Sequence, residues 1–224
     1  MKNLFFLLTF IFALPLFAQE SNVKSVNVNG EGIVKVVPDQ VIIKSRIEHE
    51  GSSATEVKKE NDAAVNKIIK YLKAQGIDEK NIKTDYINLD KRIDYQTKAE
   101  TYVANQAISI HLQDITQYET IMKGLLENGL NRIDGIQFKS SKMENFEKEA
   151  RKKAVLAAKE KAQQLVEPLG QKLGNAISIS ESNSNIGQPM YRMQMDAMST
   201  ESMETMAPGE MEVKVNVNIS FQLF

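Results

Sequence analysis

From Val26 onward apolar side chains fall on alternate positions, Val26, Val28, Val34 and Val36, with Gly30 and Gly32 holding the register between them. A period of two predicts a strand. Pro38 and Asp39 interrupt it, because proline has no N–H for a ladder, and alternation resumes at Val41, Ile43 and Ile47, so a bent strand or hairpin is expected. After Gly51 the spacing changes. Val57, Ala64, Val65, Ile68, Ile69 and Leu72 form one helical stripe opposite Lys58, Lys59, Glu60 and Lys67, and Gly76 ends it. Residues 82–89 and 102–112 read as two further strands, the second with Ile108, Ile110 and Leu112 on one face. A shorter helix over 115–127 turns Ile121, Leu125 and Leu126 inward. Ile133, Ile136 and Phe138 then make a strand in which Gly135 shifts the alternation as a bulge would.

The longest helix follows. Ser141 and Glu144 have the spacing of a capping box, and Phe146, Ala150, Ala154, Ala157, Ala158, Leu165 and Leu169 recur at helical spacing before Pro168 and Gly170 close it. Its alanines permit close approach to a sheet. Ile177 and Ile179 suggest a short strand, and residues 180–209 are polar, rich in Ser and Met and without steady period, which predicts a long mobile loop. The chain closes on its cleanest alternation, Val213, Val215, Val217, Ile219, Phe221 and Leu223 against polar neighbours, so one face is buried and the other wet. The order of elements predicts an α+β fold, a mixed but mostly antiparallel sheet covered by amphipathic helices.

The amino terminus carries a different signal. Lys2, an almost wholly apolar run from Leu4 to Phe17, and Ala18 before Gln19 and Glu20 match a secretory signal peptide over residues 1–18, with the folded domain over 23–224. The run is shorter than the ~20 residues a membrane-crossing helix needs, so removal is expected and no transmembrane segment should remain in the mature chain. The expected location is the periplasm, with the outer membrane as a surface it could associate with. The chain holds no cysteine, which excludes disulfide staples, thiolate catalysis, Cys-ligated zinc and a lipid-bearing cysteine. Stability must therefore come from a packed core. Twenty-eight Lys and Arg against 29 Asp and Glu, mixed along the chain, give no concentrated basic face for nucleic acid or anionic membrane.

These landmarks are similar, in order and spacing, to the SIMPL-domain family of exported bacterial proteins. The residues that carry the resemblance are Val28, Gly30 and Gly32, then Val36, Pro38 and Asp39, Asn61, Leu72 through Gly76 and Ile77, and Thr84. Further on they are Tyr102 with Ala104, Leu126 with Gly129, Ile136 with Phe138, Glu149 to Arg151 with Ala154 and Ala157, Leu169 with Gly170, Gly174, and Gly209 before the last strand. The resemblance implies an α+β fold in the periplasm or envelope. It also implies self-assembly into ring-like or channel-like oligomers in some members, and an association with envelope or oxidative stress. It brings no catalytic residues and no cofactor, so a non-enzymatic homo-oligomer, with an envelope protein as a further partner, is the expectation.

Enzyme chemistry finds little support. Gly30, Gly32 and Lys35 resemble the start of a dinucleotide fingerprint, but lysine stands where the third glycine belongs and no helix opens there. His49 and His111, the two histidines, read as solvated residues of strands and lack zinc spacing. No Gly-x-Ser-x-Gly occurs, and Glu147 and Glu149 point apart on a helix. An outer-membrane barrel is disfavoured, because Phe224 is in step with Gln222, Ser220, Asn218 and Asn216 and three helices occupy much of the chain. The distinctive feature is Met190, Met193, Met195, Met198, Met203, Met206 and Met211. Thioethers are soft ligands, so Met190, Met193, Met195 and Met198 are candidate Cu(I) ligands, and exposed sulfurs could consume oxidants. Methionines also make adaptable apolar surface for a neighbouring subunit. The terminal strand, taken as an edge with an uncharged outer row, is a second candidate assembly surface.

Overall fold

The computed structural model describes residues 23–182 and 208–224. The leader predicted over 1–18 and the methionines from Met190 to Met206 lie outside the described residues. The fold is α+β. Strands β1 (Ser25–Val36) and β2 (Gln40–Gly51) precede helix α1 (Ala54–Ala74), the hairpin β3 (Ile82–Ile93) and β4 (Glu100–Leu112), and helix α2 (Tyr118–Glu127). Strand β5 (Arg132–Lys139), helix α3 (Met143–Val166), β6 (Leu173–Ser182) and β7 (Met211–Leu223) complete the chain.

The strands form two sheets, and every ladder is antiparallel. One has the order β1-β7-β6 and the other β3-β4-β2-β5. The expected bent strand or hairpin at Pro38 is thus corrected: β1 and β2 do not pair, and the Pro38–Asp39 link carries the chain from one sheet to the other. The reason is local, since a residue without an N–H ends a ladder but does not dictate where the next one forms. The terminal strand is corrected in the same way. β7 lies between β1 and β6, so both of its edges have ladders and it offers no free edge over residues 216–223.

Helix α3 covers the first sheet through Ala150, Ala154, Ala158, Ala162 and Val166, a buried row spaced every four residues. The row sits so close that a Cβ at Gly32 would overlap the Ala150 carbonyl oxygen, and one at Gly30 would overlap the carbonyl oxygen of Ala154. Hydrogen in place of a side chain on one partner, and methyl groups on the other, set the separation of helix and sheet. Leu165 and Leu169, expected inward, lie half or more exposed, because they fall off that four-residue row. Two α3 lysines reach over the open edge of β1, Lys161 Nζ donating to Asn29 Oδ1 at 2.6 Å and Lys153 Nζ to the Ile33 carbonyl at 3.4 Å.

Helix α1 covers the second sheet with Val57, Val65, Ile68 and Leu72. Ser53 caps its start, its hydroxyl accepting from the Glu56 N–H, and Gly76 at φ +81° ends it with Ile77 N–H donating back to Leu72. Helix α2 packs on α1, with Gly124 leaving room for the Tyr71 ring. Tyr118, Ile121, Met122 and Leu125 are its buried side chains, whereas Leu126, expected inward, is 54% exposed. The bulge in β5 occurs as expected: Lys44 faces Gly135 and Ser45 faces Ile133, leaving Asp134 as the extra residue. Residues Ser180 to Ser182, assigned by sequence to the loop, extend β6. The two sheets share one core, in which Val34, Val36, Met211 and Val213 join Val41, Ile43, Leu112 and Phe138.

The glycine–alanine contact yields a direct test. Gly32→Val should force α3 off β1 and lower stability by about 3 kcal/mol, the upper range for overpacking a tight contact. Urea unfolding of the two proteins measures it; an unchanged midpoint would mean that α3 can retreat freely.

Candidate functional site

The Cu(I) candidates Met190, Met193, Met195 and Met198 lie outside the described residues. Met211, the described member of that cluster, is 1% exposed beneath the first sheet and belongs to the core. Among the described residues no three His, Cys, Asp or Glu converge as metal ligands, and no helix is long and apolar enough to cross a membrane.

Two polar side chains at positions that carry the family resemblance hold the architecture together. Asp39, in the link between the sheets, accepts from the Ser141 N–H at 2.7 Å and from its hydroxyl at 2.5 Å. Its own N–H donates to the Lys139 carbonyl, and its carbonyl accepts from the Ile115 N–H. One residue therefore ties the β1–β2, β4–α2 and β5–α3 links. The expected capping box is corrected here. Ser141 lies before Lys142, the residue at the N-cap of α3, and its hydroxyl is spent on Asp39 rather than on the helix. The Ser141 hydroxyl, aided by its backbone N–H and the charge of Lys142, holds the Asp39 carboxyl below the ordinary carboxylate range.

Asn61 is 1% exposed within the apolar stripe of α1. Its amide donates to the Ile47 carbonyl at 2.8 Å and to the Ala104 carbonyl at 3.2 Å, which ties α1 to β2 and β4, and lies 3.3 Å from His49 Nδ1. An amide NH2 has two hydrogens and the two carbonyls take both, so its approach to the ring is a packing contact that fixes where His49 lies. His49 is thus half-buried and oriented instead of solvated, and His111 is half-buried beside Gln40 Oε1 at 3.1 Å. His49 opens onto a cleft of 390 Å³ whose walls include Glu60 and Lys67 of α1 and Glu127 at the end of α2. A polar residue in an apolar helical row, Asn61 four places from both Val57 and Val65, was the signal in the sequence for this buried anchor.

The remaining surface of note is the set of strand edges. β3 and β5 bound the second sheet, and β1 and β6 the first. Ile87, Leu89 and Ile93 on β3 are 55%, 45% and 49% exposed, and Ile177 and Ile179 on β6 are 51% and 62% exposed. Arg46 joins Asp134 through a bidentate pair at 2.9–3.0 Å and lies 5.8 Å from the Tyr86 ring, bracing the outer face of the second sheet.

A sequence profile described as "Protein of unknown function (DUF541)", the SIMPL profile, matches residues 26–221. The chain belongs to the SIMPL family. It is 26% identical to the 26 kDa periplasmic immunogenic protein of Brucella melitensis, over 95% of this chain and 91% of that one. It is also 26% identical to the uncharacterized protein YggE of Escherichia coli K12, over 87% of this chain and 81% of the relative. The match to the YggE of Edwardsiella ictaluri is 25% over 87% and 85%. In this SIMPL chain the resemblance positions Gly30, Gly32, Asp39 and Asn61 all serve packing or tethering, as the geometry above shows.

The depressed Asp39 carboxyl has a consequence for pH. A carboxylate favoured in the folded state adds stability above its unfolded value, near 3.8, and loses it as pH falls through the lower folded value. Asp39→Asn should therefore cost about 1 kcal/mol at neutral pH, with the difference from wild type closing below about pH 4. Urea midpoints across pH 3–7 measure this; a gap independent of pH would assign the loss to shape and not to charge.

Proposed function

We propose that this SIMPL protein is a non-enzymatic component of the bacterial envelope that works in the periplasm by self-assembly, in the context of envelope or oxidative stress. The observation that carries the reading is the row of exposed apolar side chains along open strand edges, Ile87, Leu89 and Ile93 on β3 and Ile177 and Ile179 on β6. Edge strands present unpaired N–H and C=O groups, and soluble monomers ordinarily blunt such edges with charge. Apolar side chains on an open edge suit a strand that is to be covered. The periplasmic name of the Brucella relative supports the compartment, as does the leader expected at residues 1–18. An envelope protein could add to the same edges, and fractionation of cells would tell whether the assembly follows the outer membrane.

A second reading rests on composition. Six of the ten methionines fall between Met190 and Met206. Soft sulfur at that density supports Cu(I) binding or sacrificial oxidation.

Light scattering of the mature chain should give a mass of at least two protomers throughout the micromolar range. A monomer at every concentration would remove self-assembly. For the methionine reading, anaerobic Cu(I) titration should lose its high-affinity phase when Met190, Met193, Met195 and Met198 are all replaced by Leu, and equal affinity for both proteins would dismiss it.

A further inference from the structure

Among the described residues four sheet edges are open, and they are not equivalent. β1 is occupied from the side, because Lys161 and Lys153 of α3 place ammonium groups on the Asn29 side chain and the Ile33 carbonyl. β6 carries two irregularities, between Leu173 and Ala176 and between Ala176 and Ser178, and β5 is broken by its bulge at Asp134. Bulges and lysines are the devices by which natural edges refuse a partner. β3 differs. Beyond its single bulge at Asp85 its ladder to β4 runs unbroken from Tyr86 to Ile93, and Tyr86, Ile87, Asn88 and Leu89 are four uncharged residues in a row.

We infer that β3 pairs with β3 of a second copy of this chain, antiparallel about a two-fold axis at Asn88, so that two four-stranded sheets join into one of eight strands. This rests on the self-assembly reading and specifies its contact. The axis must pass through a residue, because cross-strand neighbours share a face and a half-residue register would oppose residues of opposite faces. Among the central registers, an axis at Ile87 would set Leu89 against the bulge at Asp85. An axis at Leu89 would set Ile87 against Lys91. The Asn88 axis instead places Ile87 of each copy against Leu89 of the other on the helix-covered face, and Tyr86 against Asp90 on the outer face.

A second, independent observation lies beside that axis. Asn105 of β4 is the cross-strand neighbour of Asn88 and only 7% exposed, yet among the described residues its buried Oδ1 has no hydrogen-bond donor. A buried acceptor left empty costs free energy, and such groups are few in native structures. Pairing at Asn88 sets the two Asn88 amides side by side on the face that holds Asn105. The Asn88 amide of the same chain has the NH2 that this Oδ1 lacks as a partner, and a second Asn88 across the axis would hold that amide in line with it. Amide rows of this kind run across strands wherever identical strands stack in register.

The absence of native cysteine makes the register directly readable. Directly opposed antiparallel residues have Cα atoms ~4.5–5.5 Å apart, within disulfide reach, so a residue on the axis can bridge to itself and its neighbours cannot. Oxidation of purified Asn88→Cys should give covalent dimers in high yield. Tyr95→Cys, at the 88% exposed hairpin tip, should give few. Ile87→Cys and Leu89→Cys should each bridge poorly alone and well when mixed. Leu89→Lys, at a half-exposed site that leaves the fold intact by circular dichroism, should halve the assembly mass by light scattering. A wild type that assembles while Asn88→Cys bridges no better than Tyr95→Cys would overturn the β3 contact and leave self-assembly standing. A wild type that stays monomeric would overturn both.

Discussion

The contact on which the rest of the molecule depends is the approach of α3 to β1, made with almost no side chain between them. Gly30 and Gly32 offer hydrogen, Ala150, Ala154 and Ala158 offer methyl groups, and backbone meets backbone. Close-packed interiors tolerate little change in volume, so this separation leaves one seating for the helix along the strand. Seating α3 there lets Lys153 and Lys161 span the edge of β1, and it turns the Lys- and Glu-rich face of the helix to solvent. It also fixes where α3 begins, and so where Ser141 lies relative to Asp39. The link between the sheets is thereby anchored by the packing of a helix from much later in the chain.

The elements were legible because each buries one face. Period-two runs at β1, β2 and β7, and the stripe of α1, follow directly from a core on one side and water on the other. What could not be read was which strand lies beside which. A one-faced strand shows the same alternation at the edge of a sheet and in its middle, so β7 resembled an edge while occupying the centre. Pro38 announced the end of a ladder and said nothing of a second sheet. Ser141 and Glu144 had capping spacing, but the competing acceptor, Asp39, stands 102 residues earlier and leaves no trace in the local pattern. Leu126, Leu165 and Leu169 show the limit of counting apolar residues, since a few degrees of helix rotation decides which leucines reach the core.

The candidate functional surfaces divide along the same line. Asn61 was visible as a polar intruder in an apolar stripe, though its partners on β2 and β4 were not, because they are backbone carbonyls that every residue possesses. Ile87, Ile177 and Ile179 read as ordinary strand residues in the sequence, and Ile93 lies beyond the strand expected over 82–89; only the sheet order turns them into edge residues. Geometry makes Gly30, Gly32, Asp39 and Asn61 structural parts of the scaffold.

The pairing of β1 with β7 joins Ser25 to Gln222, partners from opposite halves of the sequence. Contacts of such sequence separation form late, because nearly the whole chain must first be available to close the loop. A polypeptide threaded amino-end first through a membrane would thus emerge with β1 and α3 lacking their central strand. The first sheet can zip together only when the thirteen residues of β7 arrive, which keeps that sheet open and threadable until they have passed.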